Sequence, residues 1–150
     1  MSASIRVEES VQIARSAREV WEAIADYSFD RQWRQGLREM TPDPPGRPAL
    51  GTKVHEVIRS SGRDYVADTV VIDIDPGVSY RFAGTGTIGG VSGGRSVRAE
   101  GAGAVFTYTI ALQPRGGTRL LGPILGHFVR SGIRKDLRRL KTLLDREGTS

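Results

Sequence analysis

The C-terminal stretch from Leu120 to Glu147 constrains the fold of this chain more than any other. Leu121, Leu125, Phe128 or Val129, Ile133, Leu137, Leu140 and Leu144 recur at alternating steps of three and four. That spacing puts them on one stripe of an α-helix. The opposite side carries Arg130, Arg134, Lys135, Arg138, Arg139 and Lys141, which suits water. Pro123 lacks an amide hydrogen and fits the first turn, with Gly122 as its cap and Gly148 as a stop. About 24 residues at 1.5 Å rise make a rod of roughly 36 Å, the width of a whole domain. A stripe of that length needs an apolar partner of matching size.

The preceding residues supply one. Ile5, Val7, Val11 and Ile13 alternate with Arg6, Glu8, Ser10 and Gln12, the pattern of a half-buried strand. Ser16-Ala17-Arg18-Glu19 reads as a capping box opening a short helix whose apolar set is Val20, Trp21, Ile24 and Ala25. Asp30 to Gln35 forms a second short helix carrying Trp33. Met40 to Leu50 contains four prolines, which makes it an irregular connection or a sheet edge. Strands are then expected at Thr52–Ser60, Arg63–Ile74, Val78–Thr85, Arg95–Glu100 and Ala104–Gln113, with turns at Ser61-Gly62 and Asp75-Pro76-Gly77. The six glycines from Gly84 to Gly94 read as a mobile loop or a bulged hairpin end. Strands in a run beside segregated helices indicate an α+β domain. The long helix is the only element able to cover a sheet of six or seven strands.

At 150 residues the chain is expected to be one domain, with enough core to fold without disulfide or metal. It has no cysteine, which excludes thiol catalysis and cysteine-ligated metals. His55 and His127 lack metal-ligand spacing, so no metal or cofactor is expected. The N-terminus lacks the pattern of a signal peptide, and no apolar run approaches membrane-span length. A cytoplasmic protein is the default expectation. The net charge of +5 raises RNA, the ribosome or an anionic surface as partners through the basic face of the last helix. The bases are otherwise scattered, so nucleic acid is not the expected partner.

Several motifs are shared with a known family. They are Val11-Gln12-Ile13-Ala14-Arg15-Ser16-Ala17-Arg18-Glu19-Val20-Trp21, Ile24-Ala25-Asp26, Trp33, Gly51-Thr52 opening a strand, and Asp75-Pro76-Gly77. With the final helix, they resemble the START-like superfamily, in its polyketide cyclase/dehydrase and lipid-transport branch. The resemblance implies a helix-grip fold, a bent antiparallel sheet around the last helix with an elongated cavity between them. It also implies a hydrophobic small-molecule ligand, a lipid, quinone or polyketide.

Polar residues on apolar faces are the first site candidates. Glu56 shares a face with Val54 and Ile58. Asp68 lies among Val66, Val70, Ile72 and Ile74, and Glu9 lies between Val7 and Val11. An isolated buried carboxylate costs several kcal/mol, so each must be paired, protonated or wet. Glu56 and Asp68 are candidate acid/base residues, with Arg98 polarising a substrate oxygen, if the chain is a cyclase or dehydratase. His55 is out of phase with Glu56 and is expected at the surface. Trp33, Val54, Val70, Tyr80, Phe82, Phe106 and Tyr108 are the candidate ligand wall, with simple core filling the commoner role of such aromatics. The resemblance places Leu121, Leu125, Phe128 and Val129 nearest the cavity mouth. No nucleophile–base pair is visible. Gly84-x-Gly86-x-x-Gly89 opens no helix and is not a dinucleotide site. Gly126 and Gly132 each weaken a helix by about 1 kcal/mol. The expectation is therefore an anchored second half and a movable first half of the last helix, with the Gly84–Gly94 stretch moving alongside it.

Overall fold

The computed structural model describes residues 4–117 and 122–147. Seven strands form one antiparallel sheet: β1 (Ile5–Ile13), β2 (Leu37–Asp43), β3 (Lys53–Ser60), β4 (Arg63–Asp75), β5 (Ser79–Gly86), β6 (Gly89–Glu100) and β7 (Gly103–Pro114). Their spatial order is β1-β7-β6-β5-β4-β3-β2. Between β1 and β2 lie α1 (Ala17–Ile24), a 3-10 turn (Tyr27–Phe29) and α2 (Asp30–Trp33); α3 (Gly122–Glu147) closes the chain. This is the helix-grip arrangement, a bent sheet around a long C-terminal helix. Leu121 and Gly148 lie outside the described residues.

Local chemistry sets the boundaries. Ser16 accepts from the Glu19 amide while the Glu19 carboxylate accepts from the Ser16 amide, a reciprocal cap on α1. Ser61 and Gly62 both have positive φ, 51° and 77°, the backbone of a two-residue hairpin turn. The proline-rich segment divides: its first residues, to Asp43, end β2 at the sheet's edge, where Pro42 needs no outward donor, and Pro44, Pro45 and Pro48 follow in an irregular connection.

The glycine-rich stretch is the end of the β5–β6 hairpin and not a loop, with only Thr87 and Ile88 between the strands. Gly84 lies within β5, and Gly89 to Gly94 are paired in β6. A Cβ on Gly84 would meet the Asp68 carbonyl oxygen at 1.9 Å, and one on Gly93 the Thr109 carbonyl oxygen at 2.3 Å. Glycine here permits close backbone approach in a strongly bent sheet, a role it also has at strand bends and bulges.

Apolar residues from both layers meet on the concave side. Ile133, Leu137, Leu140 and Leu144 of α3 join Val7, Ile13, Ala104 and Phe106, with Val20, Trp21 and Ile24 of α1 and Trp33 of α2. The α3 backbone runs close along β1 and α2, and makes no comparable approach to β3, β4 or β5. The second half of the helix is sealed. Its first half faces a sheet surface that is only half covered.

Candidate functional site

Register defines the concave face. Tyr108 of β7 lies opposite Arg95 of β6, which lies opposite Tyr80 of β5. Thr69 of β4 lies opposite Val54 of β3, and Ala67 opposite Glu56. Directly opposed residues share a face, so Glu56, Val54, Tyr80, Phe82, Phe106 and Tyr108 all point inward as expected.

Asp68 and Val70 do not. A register shift between Val71 and Asp73 adds a residue to β4 and changes which side chains face the core. Ala67, Thr69 and Val71 point inward, while Asp68 lies outside and is 61% exposed. Its Oδ1 sits 2.6 Å from His55 Nδ1, on the same outer face. Arg98 is also outside, 67% exposed, and donates to Glu100 at 3.0 Å. Phe128 points away from the sheet at 63% exposure, whereas Leu125 and Val129 are half-buried against it. Of the candidate catalytic trio, only Glu56 reaches the interior.

Glu56 ends a chain of four buried or half-buried charges. Arg95 is held to Asp30 by two hydrogen bonds, Nη1 to Oδ1 at 3.0 Å and Nη2 to Oδ2 at 2.5 Å. Arg95 Nη1 also donates to the Ile24 carbonyl at 2.8 Å. Arg34 donates to Asp30 at 3.2 Å and grips both Glu56 oxygens at 2.9 and 3.2 Å. The four formal charges alternate and cancel, which is how charges survive out of water. The Arg95 guanidinium lies over the rings of Trp33, Tyr80 and Tyr108, 5.0 to 5.9 Å from their centroids. Tyr27 Oη, Trp33 Nε1 and Arg95 Nε are buried with no hydrogen-bond partner among the described residues.

These surroundings tune the acids. Burial pushes the Glu56 carboxyl up, but the Arg34 charge and hydrogen bonds, with Arg95 behind, more than offset it and hold it below its ordinary value. It is ionised at neutral pH. Tyr27 is pushed up to about 12, chiefly by burial. Asp136 of α3 is pushed up to about 6 by burial, although it accepts from the Gln35 amide at 3.0 Å. Glu9 faces α3 and accepts from Arg130 and Arg134 at 3.1 and 3.0 Å, so it ties β1 to the helix.

Trp33 and Phe106 have no accessible surface and sit edge to face, 6.0 Å apart. They form the floor behind the accessible wall. That wall consists of half-buried Ile58, Tyr65, Phe82 and Ile110 on the sheet, with Leu125 and Val129 on the helix. Glu56, 18% exposed, is its polar end. On the opposite, convex face a depression between Arg6 and Arg81 is lined by Ser92, Ser96, Thr107 and Thr109 together with Ile72 and Ala111. Among the described residues no three His, Asp or Glu side chains converge to hold a metal ion.

Sequence reasoning missed Asp30, Arg34 and Arg95. Two signals were available. Asp30 and Arg34 stand four apart around Trp33, and Arg95 is in phase with Val91, Gly93 and Val97 once the glycines are read as strand.

Solved structures repeat this architecture. An aromatase/cyclase, Zhui from Streptomyces sp. R1128, superposes with a TM-score of 0.80 at 16% identity, covering 99% of this chain and 98% of that one. A START superfamily protein from Mycobacterium smegmatis gives 0.78 at 14% identity, covering 95% and 98%. The di-domain aromatase/cyclase StfQ of the steffimycin biosynthetic pathway gives 0.78 at 10% identity, covering 98% of this chain and 53% of that one. A search of curated protein sequences finds no match. The sequence profile of the family described as polyketide cyclase / dehydrase and lipid transport matches residues 4–145. On that near-complete match, the chain belongs to the polyketide cyclase/dehydrase and lipid transport family.

Proposed function

We propose that this protein binds one elongated, largely apolar small molecule, a lipid, quinone or polyketide-like compound, between the sheet and the first half of α3. The observation that carries this reading is the contrast along the helix. Ile133 to Leu144 is sealed against the core, whereas Leu125 and Val129 face an apolar wall that stays half accessible. Ligand sites combine such apolar walls with a few fixed polar groups. Glu56, locked by Arg34, supplies one acceptor at the end of the wall. Native mass spectrometry of the gently purified chain, offered lipid, quinone and polycyclic aromatic libraries, tests the reading. One ligand per chain is expected; no retained compound from any class would overturn it.

A second reading is a cyclase or dehydratase acting on a polyketide-like chain. Glu56 at the accessible wall favours it, as does the likeness to an aromatase/cyclase. The ionised Glu56 carboxylate would serve as a base or as a partner for developing positive charge, not as a proton donor. Unchanged turnover of an identified substrate by Glu56→Gln would remove this reading.

A further inference from the structure

The outer line of α3 does not behave as an ordinary solvated face. Ile124 and Phe128 are 56% and 63% exposed, and their four-residue spacing puts them side by side. Farther along the same outward side come Lys135 and Arg138, both exposed, with no ion pair among the described residues. The neighbouring Arg130 and Arg134 differ, since both are bound to Glu9. An aliphatic and an aromatic side chain thus lead a helix whose next outward residues are unpaired cations. Lys135 follows Phe128 by about 10 Å along the axis, and Arg138 by about 15 Å.

We propose that this face of α3 docks on an anionic membrane surface, with Ile124 and Phe128 entering the headgroup boundary and Lys135 and Arg138 meeting lipid phosphates. Interfacial helices combine bulky apolar residues that insert by about 5–10 Å with basic residues that are drawn to anionic lipid. Charge complementarity selects this occupant. A second copy of the chain would bring its own Lys135 and Arg138 toward the first set, and the two would repel. A nucleic acid would satisfy the cations but would leave Ile124 and Phe128 in water. The overall charge of +5 favours approach to a negative surface. The inference stands apart from the ligand reading, because it rests on side chains that point away from the concave space.

Vesicle flotation with the full chain tests it, using phosphatidylcholine alone and phosphatidylcholine mixed with phosphatidylglycerol. The expected result is flotation with the mixed vesicles only, weakening as salt is raised. Ile124→Ser/Phe128→Ser should reduce vesicle affinity by about tenfold or more, and Lys135→Glu/Arg138→Glu by a similar factor. Both pairs are exposed, so circular dichroism and melting should match the parent chain. In a third variant, Phe128→Trp, emission should shift to the blue on mixed vesicles. Absence of flotation would overturn the proposal. So would flotation unaffected by Ile124→Ser/Phe128→Ser, tighter binding to an RNA homopolymer than to mixed vesicles, or a dimer that the same substitution dissolves.

Discussion

Asp30 and Arg95 hold each other from the start of α2 to the middle of β6 by two hydrogen bonds, both side chains shielded from water. The pair fixes the short helices to the sheet and sets Trp33 against Phe106. Removing one partner strands the other charge in a low-dielectric setting, which costs about 3–5 kcal/mol. Asp30→Ala should therefore lower stability by that amount in urea unfolding. Asp30→Leu/Arg95→Met should lose less than Asp30→Ala alone. A double variant that loses the sum of the Asp30→Leu and Arg95→Met losses would mean that the pair is not energetically coupled.

Glu56 and Asp68 separate the inward and outward faces. Glu56→Gln keeps the shape but leaves Arg34 with a neutral partner, and should cost about 1–3 kcal/mol. Asp68→Asn touches only His55 on the outer surface, and should stay within about 0.5 kcal/mol. Chemical denaturation of the two variants checks both figures. A larger loss for Asp68→Asn would contradict the register assigned to β4.

Asp136 makes stability fall as pH rises. Its folded value of about 6 lies above the ordinary carboxylate value, so the folded chain binds more protons than the unfolded chain between about pH 4 and 6. The stabilisation from its neutral form is complete at the lower limit and gone above the upper one. Asp136→Asn retains an oxygen for the Gln35 amide and has no charge to bury. It should be more stable than the parent at pH 7.5, on the order of 2 kcal/mol, with the difference shrinking toward pH 4. Melting curves over pH 4–8 measure this; a constant difference would contradict it.

The two halves of α3 should exchange amide hydrogens at different rates. Ile133, Leu137, Leu140 and Leu144 are buried in the core, while the first half carries Gly126 and Gly132 and the exposed Ile124 and Phe128. Hydrogen exchange read by mass spectrometry should find slow exchange in the second half and exchange at least about tenfold faster in the first. Equally slow exchange would contradict the division into anchor and gate.

The fold was largely legible because its signals were periodic. The stripe from Leu125 to Leu144, the alternation from Ile5 to Ile13 and the Ser16–Glu19 cap each pointed to the element that forms. The site was less legible because it depends on register. One added residue near Ile72 turns Asp68 and Val70 outward, and nothing in the composition of β4 marks it. Glycine had two meanings, so Gly89 to Gly94, the first half of β6, read as a loop or hairpin end and the expected strand began only at Arg95. Helical phase at Phe128 and Val129 left one position open, and the structure puts Val129 inward and Phe128 outward.

The ligand proposed above would occupy the space between the concave sheet and the first half of α3. Ala67 faces that space beside Glu56, so Ala67→Trp would fill it from the sheet side without touching the sealed second half of the helix. Titration with a fluorescent polyene fatty acid compares this variant with the parent. Saturable one-to-one binding by the parent and at least about tenfold weaker binding by Ala67→Trp are expected, with melting behaviour preserved. Equal affinity in the two proteins would place the ligand elsewhere and contradict the account.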